Sequence, residues 1–167
     1  AINVGLAIDL PRKGGGRTLV VPNIKDAQNL DFAGFLAAYN AQVKKARDGK
    51  LTPDDFADPT FTLTNPGTIG TVSSLPRLMA GQSFILATGA IAVPAAYSGA
   101  APSTLNELGV SKVMTLTSTY DHRVIQGAES GQYLARMHQL LLGEDRFFED
   151  IFRDLDVPYR PVHWTTD

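Results

Sequence analysis

From Lys112 to Ala128 the chain reads KVMTLTSTYDHRVIQGA. Val113, Thr115, Thr117 and Thr119 alternate with Met114, Leu116, Ser118 and Tyr120, the period-two pattern of a strand. The alternation stops at Asp121-His122-Arg123, and Gln126-Gly127 opens a segment in which Tyr133, Leu134, Met137, Leu140 and Leu141 recur at helical spacing. A strand, a short turn and a helix therefore follow one another, with His122 in the turn. Strand ends are where sheets present side chains to ligands. On position alone His122 is either a working imidazole or the filler of a turn in which Asp121 and Arg123 form a surface ion pair.

Outward from this stretch, Ser83 to Ile91 reads as a second strong strand, and both strands are expected to be central. Pro94 to Gly109 is a connecting loop with a helical turn opened by Ser103. Asp145 to Leu155 places Phe147, Phe148, Ile151 and Phe152 at helical spacing, a last helix before the proline-broken stretch from Val157. Toward the start, Phe61 to Thr64 is a strand running into the turn Asn65-Pro66-Gly67. Asp31 to Arg47 is an amphipathic helix with Phe32, Phe35, Leu36, Tyr39 and Val43 as its apolar stripe, Asp31 as cap and Gly49 as stop. Thr52-Pro53-Asp54-Asp55 signals a short helix start. Ile2, Val4, Leu6 and Ile8 predict one strand with one buried face, joined through a glycine-rich turn to Thr18–Val21, which Pro22 halts.

With 167 residues, 44% hydrophobic and 19% charged, the chain has the makings of one domain, and about 70% of its unfolded surface can be buried without staples. It has no cysteine, which excludes disulfides, thiolate zinc sites and a cysteine nucleophile. A net charge of −2 gives no footprint for nucleic acid, and Lys44, Lys45 and Arg47 read as a solvated helix face. Gly14, Gly15 and Gly16 lack the Gly-Lys-Ser/Thr ending and the following helix of a phosphate loop, so they read as a flexible turn. The run Phe84–Val93 falls short of the roughly 20 residues of a membrane helix. No signal peptide is recognised at the start, and a cytoplasmic setting is expected. His138 and His163 sit in bland surroundings, and the histidine spacings match no metal-ligand pair, so no metal is expected.

The segment from Ser118 to Ala128 resembles the Asp-His-Arg-x-x-Asp-Gly signature of the dihydrolipoyl acyltransferases of 2-oxoacid dehydrogenase complexes, relatives of chloramphenicol acetyltransferase. Thr60-Phe61-Thr62-Leu63-Thr64-Asn65-Pro66-Gly67, with Ile69-Gly70, is similar to that family's Gly-Thr-Phe-Thr-Ile-Ser/Thr-Asn-x-Gly segment. Asn3 to Asp9, Leu19 to Pro22 and Lys45 to Leu51 match its paired strands and a helix end. Thr115 to Tyr120, Gln126, His138 to Gly143 and Val157-Pro158-Tyr159 leading to Trp164 resemble most the acyltransferase module of actinobacterial fused 2-oxoglutarate dehydrogenases.

The resemblance implies an α/β fold, a two-layer mixed sheet covered by helices, of the chloramphenicol acetyltransferase type. It implies transfer of a succinyl group between a dihydrolipoyl arm and coenzyme A in the tricarboxylic acid cycle, with thiamine diphosphate and magnesium in a neighbouring module. His122 is then the general base, Thr64 the oxyanion donor, and Gln126 stands where the signature has aspartate. An amide can hydrogen-bond but cannot form an ion pair. The implied partners are a lipoyl-bearing domain, other components of the complex, and further copies of this chain, because the family's site lies between subunits. Residues 1–156 are expected to form an acyltransferase domain lacking the family's N-terminal part, and 157–167 an extended linker toward a following module. The rival expectation is a scaffold module with little transfer of its own.

Overall fold

The computed structural model describes residues 1–159. The expected two-layer α/β architecture is present. A five-stranded mixed sheet runs in the order β4-β1-β5-β6-β7, from β1 (Val4–Leu6), β4 (Asn23–Ile24), β5 (Phe61–Thr64), β6 (Phe84–Thr88) and β7 (Leu116–Tyr120). β1, β5 and β6 are parallel neighbours, while β4 and β7 run antiparallel at the two edges. The helices are α1 (Phe32–Arg47), α2 (Pro102–Glu107), α3 (Gly127–Leu141) and α4 (Phe147–Asp154).

The opening strand breaks at Ala7. Only Val4–Leu6 stays in the main sheet, and all three residues are buried, so both faces are covered rather than one. Beyond Ala7 the chain forms a separate hairpin of β2 (Ile8–Pro11) and β3 (Arg17–Val20), with Ile8 opposite Val20. Lys112–Tyr120 shortens to Leu116–Tyr120 and is an edge strand, not a central one. Its residues are all half-buried, whereas Ile85, Leu86 and Ala87 of β6 are buried on both faces. A threonine-rich strand suits an edge, where one rim of backbone faces away from the sheet. β4 escapes the sequence pattern because it is two residues long and follows a proline.

On α1, Asp31 accepts a hydrogen bond from the Gly34 amide at 2.7 Å, as its capping position predicts. The face seated on the sheet differs from the apolar stripe. Phe35 and Ala38 pack against Val4, Leu6 and Ile24, and Ala46 is buried, while Leu36 and Tyr39 remain exposed. Gln42 explains the rotation: its side-chain amide donates to the Asn23 carbonyl at 3.0 Å and to Asp55 at 3.1 Å. The short helix expected after Thr52 is a single 3-10 turn, Pro53–Phe56. The turn expected from Ser103 is α2, which begins one residue earlier with Pro102 in its first turn. At the far end, a 3-10 turn over Glu144–Arg146 precedes α4, and Tyr159 stacks on Phe152 at 4.5 Å. The rest of the expected linker, with His163 and Trp164, lies outside the described residues.

Asp55 joins α1 to the sheet edge. Its carboxylate, 5% exposed, accepts from Lys45 at 2.8 Å, from the Thr52 amide at 2.8 Å and from the Thr52 hydroxyl at 3.0 Å. The Lys45 ammonium, foremost among these donors, holds the acid well below the ordinary carboxylate range. A lowered native pKa adds stability that is complete above the unfolded value near 4 and is lost as pH falls below it. Asp55→Asn is therefore expected to cost about 2 kcal/mol at pH 7. The difference from the parent shrinks below pH 4, as denaturant midpoints measured across pH will show. A midpoint unmoved at pH 7 would refute the joint.

The chain leaves 11595 Å² accessible, against about 8,000 Å² for a compact monomer of 18.0 kDa. Ile69 and Leu75, 80% and 85% exposed, belong to the segment between β5 and β6. So much uncovered apolar surface fits a chain that packs against further protein.

Candidate active site

His122 owes its place to two anchors. The ladder continues past β7 through the Asp121 amide, which donates to the Ser83 carbonyl at 2.9 Å. The chain then turns back, with the Val124 and Ile125 amides both donating to the Asp121 carbonyl at 3.1 and 3.0 Å. On the far side, α3 starts at once: the Gln126 amide donates to the Glu129 carboxylate at 2.7 Å, the reciprocal half of a capping box. Ser118 on β7 and the buried Ser130 on α3 share a hydrogen bond of 2.7 Å, which clamps the strand to the helix behind the turn. That clamp was not singled out in the sequence, although Ser118 alternates with the threonines and so faces one side of its strand.

The imidazole itself is exposed, its ring tilted 50° to that of Tyr120 with centroids 5.5 Å apart. No described residue hydrogen-bonds it. The Asp121–Arg123 ion pair exists: the Arg123 amide donates at 3.0 Å and its Nε at 2.9 Å to Asp121 Oδ1. Hydrogen bonds from the guanidinium push the Asp121 carboxyl down to about 2, so it stays ionised throughout the range in which an imidazole titrates. Committed to Arg123, Asp121 braces the turn and leaves the ring of His122 outward. Gln126 is exposed at the start of α3.

Thr64 is the last residue of β5 and half-buried. Asn65 accepts from the Gly67 amide at 3.0 Å, turning the chain immediately after it. The turn is pressed onto the end of β6: a Cβ on Gly67 would lie 2.3 Å from the Gly89 carbonyl oxygen, and one on Gly89 only 1.9 Å from that of Val72. Only glycines allow this approach. Among the described residues the Thr64 hydroxyl makes no hydrogen bond, so it does not turn back on its own backbone.

One protomer does not bring Thr64 and His122 together. Thr64 stands level with Ala87, which faces Thr117, while Phe84 faces Tyr120 at the other end of β6. Three residues along the strand cover about 10 Å and two strand spacings a further 9–10 Å across. The level of Tyr120 is thus about 14 Å from Thr64, and His122 lies two residues beyond it. The hydroxyl and the imidazole occupy opposite ends of one sheet. A cleft of about 420 Å³ lies near the His122 end, floored by Phe61, Phe84 and Tyr133 and walled by Val124 and Ile125. Burial there pushes the Tyr133 phenol up. Among the described residues no helix is long and apolar enough to cross a membrane.

A model of the 2-oxoacid dehydrogenases acyltransferase catalytic domain matches residues 1–148. The multifunctional 2-oxoglutarate metabolism enzymes of Mycobacterium sp. strain JLS and of Mycolicibacterium vanbaalenii are each 58% identical over 165 residues, 99% of this chain. The chain spans 13% of the length of these relatives. Among solved structures, a truncated catalytic core of the 2-oxoacid dehydrogenase multienzyme complex from Thermoplasma acidophilum is 29% identical with a TM-score of 0.67, covering 87% of this chain and 58% of that one. Azotobacter vinelandii dihydrolipoamide acetyltransferase is 26% identical with a TM-score of 0.66, covering 92% and 56%. In that enzyme a serine, a histidine and an asparagine have been investigated for their role in the catalytic mechanism, the last two separated by four positions. His122 and Gln126 have the same separation.

Proposed function

Because this chain belongs to the 2-oxoacid dehydrogenase acyltransferase family, we propose that it moves a succinyl group between a dihydrolipoyl thioester and coenzyme A, within a larger 2-oxoglutarate-oxidising protein of the cytoplasm. The catalytic residues are His122 and Thr64, with Gln126 beside them. Free thiols titrate near 8.5, so the attacking sulfur needs a base. His122 takes the proton of the coenzyme A thiol, and the sulfur adds to the acyl carbonyl. The Thr64 hydroxyl donates a hydrogen bond to the oxyanion that forms. As the oxyanion re-forms the carbonyl the old carbon–sulfur bond breaks, and the imidazolium returns its proton to the departing dihydrolipoyl sulfur. Gln126 offers an amide to the reacting groups where an ionised aspartate would offer charge.

The observation that carries this reading is the separation of Thr64 and His122 to opposite ends of the sheet, each with an unengaged side chain. A head-to-tail contact between copies places one chain's hydroxyl against the next chain's imidazole, and such contacts close into rings. The large accessible surface favours the same arrangement. A lipoyl-bearing domain delivers the acyl group, and thiamine diphosphate and magnesium serve a separate module. Residues 1–156 form the transferase part and 157–167 lead toward that neighbour.

The test is direct. Full-length protein given succinyl-dihydrolipoamide and coenzyme A is expected to form succinyl-coenzyme A, faster than it forms the acetyl product from acetyl-dihydrolipoamide. Equal rates with the two acyl groups would remove the succinyl assignment, and no product from either would remove the transferase.

A further inference from the structure

Among the described residues none hydrogen-bonds the His122 ring, so the ring stands where its backbone puts it. A working base is normally aimed by a third group bonded to it. Here the aim falls to the strand and the helix on either side of the turn. Most of the bonds that stiffen the turn are local. The Val124 and Ile125 amides return to the Asp121 carbonyl, Arg123 holds Asp121, and the Gln126 amide meets Glu129. Each of these links residues at most four positions apart, and none ties β7 to the body of α3.

Ser118 and Ser130 do. Their hydroxyls, twelve positions apart, share a hydrogen bond of 2.7 Å. Ser118 stands opposite the buried Leu86 on β6, and Ser130, 5% exposed, is the fourth residue of α3. A serine inside a helix commonly turns its hydroxyl to the carbonyl four residues back. Ser130 sends its own across to the strand. Stability alone does not ask for this, because replacing both partners of a buried hydrogen bond by apolar groups of like shape is nearly neutral. What the hydroxyls add is geometry: the bond fixes separation and direction, where an apolar contact tolerates sliding. A second contact lies beside it. The Tyr120 ring backs the imidazole at 5.5 Å, and its hydroxyl reaches the first residue of α3, where a Cβ on Gly127 would lie 3.4 Å away. A shift of α3 along β7 therefore moves both the turn and the ring that backs His122.

We infer that Ser118 and Ser130 are positioning residues: their shared hydrogen bond sets α3 against β7 and thereby aims the His122 imidazole at the sulfur it deprotonates. The inference rests on the transfer reaction proposed above and adds the pair through which its base is held. Ser130 also borders the cleft of about 420 Å³, so a role in aim has to be told apart from a role in binding.

Steady-state kinetics of the full-length protein separates the two. Ser118→Ala and Ser130→Ala break the bond from opposite sides, and each is expected to lower kcat about tenfold, since displacing a reacting group by about 1 Å can cost about a hundredfold. KM for coenzyme A and for succinyl-dihydrolipoamide should stay as in the parent. The double variant is expected to lose no more than either single, because both remove one bond. Ser118→Thr keeps the hydroxyl on a residue that suits a strand, and is expected to retain the parental kcat. In a His122→Ala background Ser118→Ala should add nothing, since the pair acts through the ring. Hydrogen exchange read by mass spectrometry gives a measure apart from turnover: residues 121–126 should exchange faster in both Ala variants, and α1 should not. An unaltered kcat, a raised KM at constant kcat, or a tenfold loss that persists without His122 overturns the inference. So does a loss in Ser118→Thr equal to that in Ser118→Ala, or one matched by loss of folded protein in circular dichroism. Inactive His122→Ala beside fully active Ser118→Ala removes the pair and keeps the base. Transfer that survives His122→Ala removes the base itself, and with it anything to aim.

Discussion

His122→Ala in the full-length protein is expected to slow succinyl transfer to coenzyme A by a factor of about a hundred to ten thousand, the usual contribution of a positioned base. The substitution should leave everything else in place. The ring is exposed and bonded to no described residue, while Asp121, Arg123 and the Ser118–Ser130 clamp hold the turn without it. Assembly mass by light scattering is therefore expected to stay as in the parent. Full transfer activity in the variant would instead make the module a scaffold.

The second large effect concerns Thr64. Thr64→Val keeps the branched shape and removes only the hydroxyl, so a loss of about a hundred- to a thousandfold in kcat is expected, about 2.7–4 kcal/mol of barrier. Affinity for coenzyme A should change little, because the donor engages an oxyanion absent from the ground state. Mixing decides whether the site spans two chains. Chains carrying His122→Ala and chains carrying Thr64→Val are each nearly inactive. Dissociated together and reassembled at equal amounts, they should regain about a quarter of parental activity, since a site between neighbours draws each residue from a separate chain. A site built within one chain regains nothing, and that result would end the interfacial mechanism.

Local grammar was legible wherever its signal was local. Asp31 and Gly49 bracket α1, Asn65-Pro66-Gly67 marks the turn after β5, and Gln126-Gly127 marks the start of α3. Each depends on residues within a few positions of one another. Misreadings arose where burial came from distant chain. The face of α1 was missed because Gln42 is held by Asn23 and Asp55, 19 and 13 residues away. Alternation reports a strand but not how many neighbours it has, so the pattern of β7 does not distinguish an edge from a centre. The break at Ala7 was hidden because Ile8 keeps the alternation of the preceding residues while pairing with Val20 in another sheet.

The sequence by itself determined the chemistry on offer: no thiol, one imidazole in a strand-end turn, one hydroxyl before an asparagine turn, and the motifs around both. Side-chain type and near-neighbour spacing are written in the chain directly. Only the tertiary structure decided that the hydroxyl and the imidazole stand at opposite ends of a sheet, and that Ser118 and Ser130 tie the strand before the imidazole to the helix after it. Strand order and direction follow from pairing between residues tens of positions apart, and that pairing is settled by which surfaces pack together.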